Sequence, residues 1–304
     1  MPRVLIAGHF NPELPAPLGF SDFVGGTGLQ NYRESLQQFE QGFRSAAPGW
    51  ESSILPFGPG PIFADVLGDR GAVSLSTGGE ELLIPEEAAS PLLIEMGHDR
   101  GHDWGIRVRE AFDAEDLRRR DVVVAYSTSR PLYGAGGTSN TDQQLRLRTD
   151  IVEPKGWRQA LTQLAEEPAG SLQFGGQDDR LDPGTRPGSG AGGGAAAWLM
   201  ALGARAFPTG EVLAHYLDAE RLIAEADLVI IATPHWHSPD LTDAVPLVLT
   251  GLGSPATPRV GVGLASSLSA HEQAQWGIQG LHLLGKKDGL EELGRRVGQT
   301  WGRV

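Results

Sequence analysis

The residues best placed to do chemistry follow directly on an apolar run. Ala226-Asp227-Leu228-Val229-Ile230-Ile231-Ala232 reads as a buried strand, and Thr233-Pro234-His235-Trp236-His237 follows as an abrupt turn. Ligands of open α/β sheets gather beyond the carboxyl ends of the strands, so this turn carries the first functional expectation. His235 and His237, with Asp240 and Asp243 nearby, supply imidazole and carboxylate, which suit zinc or iron. The same residues also read as exposed loop histidines before a helix that starts at Pro239-Asp240, where an acidic residue favours the helix N-terminus.

A second constellation is glycine-rich. Gly188-Ser189-Gly190-Ala191-Gly192-Gly193 matches G-x-G-x-x-G and, with Gly194, opens a helical run from Ala195 to Leu202. A dinucleotide fingerprint requires a strand directly before it, and Arg186-Pro187 stands there instead. Exposed amides at such a position favour an anion. The competing reading is a hinge that lets a helix pack closely. Gly136-Gly137-Thr138-Ser139 is a polar turn that either binds an anion through its amides or is plain surface. Neither a Ser nucleophile elbow nor a Walker A loop occurs.

Composition narrows the function classes. The chain has 304 residues, no cysteine and a net charge of −13. That length allows two domains. Absence of cysteine excludes disulfides, thiolate metal sites and a cysteine nucleophile. The acidic balance argues against nucleic-acid or membrane partners, since both need basic patches, and Arg118-Arg119-Arg120 and Lys286-Lys287 are short. The expected partner is a small anionic molecule, a homo-oligomer is left open, and a cytoplasmic location fits. No apolar run approaches the length of a membrane span.

These groups must be held by α/β elements. Val4 to Ala7 reads as a first strand, and a helix is expected from about Ser35, where Ser35 and Gln38 have capping-box spacing. Ser53 to Phe57 completes a β-α-β start, so the sheet should be parallel. The last third repeats this logic. Helices are expected at 211–225, 240–250 and 271–276 and a final one through Leu290, Leu293, Val297 and Trp301, with strands at 227–232, 259–264 and 281–284. In the middle, Leu92 to Met96 and Val122 to Ala125 read as strands, and 106–117 and 157–164 as helices. The run from Gly175 to Gly194 reads as a polar loop without a packing pattern. The two regular ends can share one sheet, with the middle as an inserted domain.

In order along the chain, these segments resemble the class I glycerate kinase family. Tyr32-Arg33-Glu34-Ser35-Leu36 is similar to its early Phe-Lys-Gly/Glu-Ser-Leu segment. Leu93-Ile94-Glu95-Met96 resembles its Val-Ile-Glu-Met strand, and Arg130-Pro131-Leu132-Tyr133-Gly134 its Asn-Pro-Leu-x-Gly segment. Gly188 to Gly194 is similar to its glycine-rich loop, and Ala226 to Ile230 to the strand before its acidic turn. The resemblance implies two α/β domains. A flavodoxin-like parallel-sheet domain would be built from residues 1–68 and 160–304, with a second α/β domain, 69–159, inserted. It also implies transfer of the ATP γ-phosphate to glycerate with magnesium.

The departures fall where that chemistry would be. The family's Thr-Gly-Glu-Gly and the Asp, Gln and Gly-Lys-x-Pro after it are replaced by Ile231-Ala232-Thr233-Pro234, His237, Pro239 and Asp243-Ala244-Val245-Pro246. The Asp-Gly-Gly-Glu-Gly after the second strand becomes Gly58-Pro59-Gly60-Pro61-Ile62, the early Lys becomes Arg33, and an Asp and an Asn become Ser127 and Arg130. Phosphoryl transfer needs metal-holding carboxylates and cations at the γ-phosphate, and losing one such group costs roughly 100- to 1000-fold. The resemblance with these losses implies a diverged member, a pseudoenzyme with weak or no glycerate kinase activity. It would keep an anion-binding cleft made of Arg33, Ser35, Arg130, Gly190, Gly192, Gly193 and Gly194, beside the switch-point turn of Thr233, His235, His237 and Asp240. Guanidinium pairs bidentately with carboxylate and phosphate, though both arginines also read as exposed surface residues. The alternative is an active kinase for glycerate or a similar hydroxy acid, using ATP and magnesium held by Glu95, Asp227 and Asp240. A third reading is a metal-binding enzyme using His235 and His237.

Overall fold

The computed structural model describes residues 1–11, 31–74, 90–96, 114–134, 137–138, 159, 161–163, 182–237, 245–285 and 288–303. In chain order its strands are β1 Arg3–Gly8, β2 Glu51–Pro56, β3 Val73–Ser74, β4 Leu92–Glu95, β5 Val122–Tyr126, β6 Arg205–Pro208, β7 Leu228–Ala232, β8 His235–Trp236, β9 Arg259–Gly263, β10 Ala265–Ser266 and β11 Gly280–Leu283. The helices are α1 Tyr32–Ala46, α2 Pro61–Val66, α3 Ala114–Arg119, α4 Ala195–Ala201, α5 Thr209–Tyr216, α6 Ala219–Ala224, α7 Val245–Gly251, α8 Ala270–Gln275 and α9 Leu290–Trp301. The chain divides into two compact units, Met1–Gly58 with Leu213–Val304, and Pro59–Val212.

The first unit is built on a five-stranded sheet in the order β2-β1-β7-β9-β11, parallel throughout. Counting only these strands along the chain, the order is 2-1-3-4-5, the flavodoxin-like doubly wound arrangement. β7 and β9 are buried along their whole length, which explains why Leu228 to Ala232 reads as an unbroken apolar run. α1 buries Leu36, Phe39 and Phe43, and α9 buries Leu290, Leu293 and Val297. The two helices touch backbone to backbone. A Cβ at Gly294 would run into the Phe39 carbonyl oxygen, and one at Gly42 into the Glu291 carbonyl oxygen.

The second unit has a four-stranded parallel sheet in the order β3-β4-β5-β6. Its core joins Leu92, Ile94, Val122 and Val124 to Leu132 and the wholly apolar α4. Expected boundaries at 68 and 160 differ from this division. At the later boundary the reason is β6, whose pairing with β5 carries residues 205–208 into the second unit.

Local differences from the sequence have physical causes. α1 starts at Tyr32 rather than near Ser35, because the Asn31 side chain accepts hydrogen bonds from the amides of Arg33 and Glu34. A continuous helix over 211–225 is interrupted, since Asp218 adopts a left-handed conformation at φ 52° between α5 and α6. Residues 182–194 form packed 3₁₀ turns instead of a loop without packing. β6 escapes sequence detection because Arg205-Ala206-Phe207-Pro208 is short and exposed at alternate positions. Among the described residues no helix is long and apolar enough to cross a membrane.

Candidate functional site

β1 and β7 are neighbours at the middle of the first sheet, with β2 on one side and β9 on the other. This is the topological switch point of a doubly wound sheet, and crevices for ligands open beyond its carboxyl ends. The strands separate there at close range. Gly8 has φ 122°, and a Cβ on it would strike the Ala232 carbonyl oxygen, so only glycine fits. The same carbonyl accepts the His9 amide at 3.0 Å. His9 is buried, and the next residue, Phe10, packs on Phe39 with ring centroids 5.6 Å apart. Asn11 follows, and its Oδ1 is shielded from solvent and accepts no hydrogen bond.

The turn after β7 becomes a small sheet of its own. Thr233 donates its amide to the Val262 carbonyl at 3.1 Å, and β8 pairs in parallel with β10. Trp236 is fully buried and donates its indole N–H to the Val262 carbonyl at 3.0 Å. Its ring lies on two glycines of β9. A Cβ would come within 2.9 Å of the ring at Gly261 and 3.0 Å at Gly263. Successive residues of an extended chain alternate in direction, so His235 and His237 share the face opposite Trp236. Their rings stack, with centroids 5.3 Å apart and planes 21° apart. Ser267 Oγ lies 3.4 Å from His237 Nδ1, and the Thr233 hydroxyl donates to the His235 carbonyl at 3.3 Å. Among the described residues no group of three His, Asp or Glu is arranged to hold a metal ion. Asp240 and Asp243 lie outside the described residues.

The other candidates of this unit sit on α1. Arg33 is exposed, with its guanidinium 5.3 Å from the centre of the Tyr32 ring. Ser35 is buried and donates its hydroxyl to the Asn31 carbonyl at 2.9 Å. The serine therefore serves the first helical turn.

At the carboxyl edge of the second sheet, one carboxylate gathers hydroxyl groups. Glu95, at the end of β4, is 0 % exposed. Ser74 at the end of β3 donates to its Oε2 at 2.6 Å, and Ser127 after β5 donates to its Oε1 at 3.1 Å. Ser127 also lies 3.2 Å from the hydroxyl of Thr209, the first residue of α5. With the Ser127 proton committed to Glu95, Thr209 is the donor of that pair. The row thus ties together the ends of all four strands. Burial raises the pKa of Tyr126, at the end of β5, and the charge of Glu211 adds to the effect.

Arg130 and the glycine-rich segment are knitted together beside this row. Arg130 is half-buried and donates Nη2 to the Gly137 carbonyl at 3.3 Å. Its own carbonyl accepts the Gly190 amide at 3.1 Å, and the Gly194 amide donates to the Gly190 carbonyl at 3.3 Å. Two of the expected anion-binding amides are therefore committed inside the protein. Gly192 and Gly193 have φ 59° and 61°, left-handed values natural to glycine. Ser189 is fully buried, accepts the Leu132 amide and donates to the Gly184 carbonyl, both at 2.9 Å.

Arg33, Ser35, Thr233, His235 and His237 thus belong to the first unit, and Arg130 with Gly190, Gly192, Gly193 and Gly194 to the second. Sequence reasoning missed His9, Asn11 and Ser267 in the first and Ser74 and Thr209 in the second. His9 and Asn11 had a usable signal, since they directly follow a strand that ends at glycine.

Comparison with known proteins bears on both units. The model of the glycerate kinase family matches residues 108–246. A crystal structure of putative glycerate kinase 2 from Salmonella typhimurium LT2 superposes with a TM-score of 0.60 at 18% identity, covering 98% of this chain and 96% of that one. That likeness shows the fold. No curated protein matches the chain in sequence. The family model thus matches the middle of the chain, and the structural likeness extends over nearly its whole length.

Proposed function

We propose that this chain is a diverged member of the glycerate kinase family, with weak or no glycerate kinase activity, that retains a site for a small anionic molecule. Membership of a kinase family implies ATP use in general. The observation that carries the reading is the turn at the flavodoxin-like switch point, which among the described residues presents Thr233, His235 and His237 and no carboxylate. The residues directly following β1, β2 and β9 include no Asp or Glu either. Magnesium in phosphoryl transfer is held by carboxylates close to the transferred group. Of the three acids considered for it, Asp240 lies outside the described residues, Glu95 is fully buried under two hydroxyls, and Asp227 accepts the Arg3 amide at 2.8 Å. Asp227 also precedes β7 and so lies at the amino end of that sheet, away from the switch point. The described residues therefore do not fit a magnesium ion, and no catalytic step is routed through one.

The test is a coupled assay of ADP release with ATP, magnesium and D-glycerate, extended to other small hydroxy acids, beside calorimetry of each ligand alone. The expected result is anion binding with turnover at least about 1000-fold below that of a working kinase, which turns over at about 1–100 per second. Turnover in that working range would overturn the reading.

A further inference from the structure

We propose that α7 and the loop after it, residues 246–258, form a self-association surface through which two copies of this chain meet face to face about a two-fold axis. The inference stands apart from the kinase reading. A surface helix ordinarily turns charged and polar residues outward. α1 does so with Arg33, Glu34 and Gln37, and α9 with Glu291 and Gln299. α7 does not. It packs on β1 and β7, and of residues 246–258 Leu249 alone is buried. Leu247 is 38 % exposed, and Pro246, Val248 and Leu252 are half-buried. Apolar groups that reach solvent together mark a contact surface, whereas scattered single ones do not.

Two observations choose a second copy as the occupant. The first is charge. From Ala244 to Pro258 the sequence has no Asp, Glu, His, Lys or Arg, in a chain whose net charge is −13. A two-fold interface sets a patch against itself, so any charge in it meets its own like. Two copies of so acidic a chain repel, and an uncharged face lets them touch at the lowest cost. The same net charge disfavours an anionic membrane, and a basic partner would find no carboxylate on this segment. Arg259, which ends the uncharged run, is withdrawn from the surface. It is 4 % exposed, and its guanidinium donates to the carbonyls of Leu252, Ser254 and Thr257. The second observation is that the polar groups here are answered from within. Besides those three carbonyls, the Thr250 hydroxyl donates to the Leu247 carbonyl at 2.8 Å, and the Ser254 hydroxyl accepts the Ala256 amide at 3.2 Å. Docking costs most where polar groups surrender water without a replacement, and these have little to surrender. A standard interface takes about 20–30 residues from each side, and residues 246–258 are about half of that, so the dimer should be weak.

The experiment is sedimentation equilibrium of the full-length protein from about 5 to about 500 μM, the range in which a small interface associates. The expected result is a weight-average mass that rises from the monomer's 32.4 kDa toward twice that value. Leu247→Glu sets like charges against each other across the axis and should weaken association about tenfold or more. Phe207→Glu, which charges an exposed apolar residue of the second unit, should leave association unchanged. Added salt should strengthen the dimer, because it screens the repulsion between two acidic copies. A wild type that stays monomeric at every concentration overturns the proposal and leaves the face to a different partner. A dimer that Leu247→Glu leaves intact, that Phe207→Glu dissolves, or that salt dissolves is built elsewhere and also overturns it. Should Leu247→Glu not fold, hydrogen exchange of the wild type at the two ends of the range decides. Amides within 246–258 gain protection at the high end if the proposal holds, and protection gained only in other segments sinks it.

Discussion

At the carboxyl edge of the five-stranded sheet the polar groups are imidazoles, hydroxyls and an amide on His9, Asn11, Thr233, His235, His237 and Ser267. At the edge of the four-stranded sheet they are hydroxyls that converge on the carboxylate of Glu95. Both sheets are parallel, so the fold offers the same kind of position twice. The chemistry placed there differs in how it is satisfied. Donors and acceptors in the second unit close on one another in a buried row, and such fully satisfied networks rigidify a core. The first unit leaves at least one acceptor, Asn11 Oδ1, open. The second unit has such an atom too, the buried Thr138 hydroxyl, but it lies beside Gly190 and the Arg130 carbonyl rather than in the row.

The comparison breaks most sharply at the residues that hold each edge. Trp236→Ala removes a fully buried indole seated on Gly261 and Gly263, and should destabilise the protein by about 4 kcal/mol. Trp236→Phe keeps an aromatic ring but loses the hydrogen bond to Val262 and part of the indole's bulk, and should cost about 2 kcal/mol. Denaturant unfolding of the two variants measures the difference. A Phe variant as unstable as the Ala variant would show that the hydrogen bond, not the seat on the glycines, places the histidine pair. In the second unit, Glu95→Ala strips the common acceptor from Ser74 and Ser127, and should cost about 3 kcal/mol. A loss below about 1 kcal/mol would mean that the row is not what holds that edge together.

How much of this was legible in the sequence depended on period and length. The apolar runs of β1, β7 and β9 announced a buried parallel sheet, because strands covered on both faces need no polar alternation. His235 and His237 were visible as H-x-H, but their stacking was not, since it depends on a tryptophan seated on glycines of a strand 25 residues further on. Glu95 was noticed as an acid and read as a magnesium holder, whereas its burial under hydroxyls from other strands is tertiary information. Arg33 and Ser35 were read as site residues, but the structure uses Ser35 to bond the first turn of α1 and leaves Arg33 on the surface. β3, at two residues, carries too short a pattern to reveal that Ser74 would meet Glu95.

A gentler change makes the second edge more acidic. The Ser127 hydroxyl lies 3.1 Å from Glu95, so Ser127→Asp brings a second carboxylate to a fully buried first one. Two carboxylates that close cannot both ionise easily, and one pKa rises above its unfolded value. A raised carboxylate pKa leaves stability intact below the unfolded value, near pH 4, and removes it as pH climbs through the folded value. The variant should therefore approach wild-type stability near pH 4 and fall about 2 kcal/mol below it at pH 7. Millimolar magnesium should recover part of the loss. Thermal melts at the two pH values, with and without magnesium, provide the measurement. An equal loss at both would mean that the added bulk, not the charge, does the damage.

The smallest effect concerns His282, on β11, the edge strand of the five-stranded sheet. The Trp301 indole N–H lies 3.2 Å from His282 Nε2. Indole can only donate, so this nitrogen carries no proton in the fold. Burial lowers the pKa of His282, and the charge of Arg296 lowers it further. Arg296 is itself held by the Leu283 carbonyl and by Asp288 at 3.4 Å. Between the lowered folded value and the ordinary value near 6.5, the unfolded chain binds more protons than the folded one. Stability must then fall as pH drops from about 6.5 through the folded value, and be fully present above it. His282→Gln, whose amide oxygen can accept the same indole N–H, should remove this slope and change the midpoint near pH 5 by about 2 °C. Melting curves from pH 5 to 7.5 for both proteins would show it, and an unchanged slope in the variant would assign the acid sensitivity to other histidines.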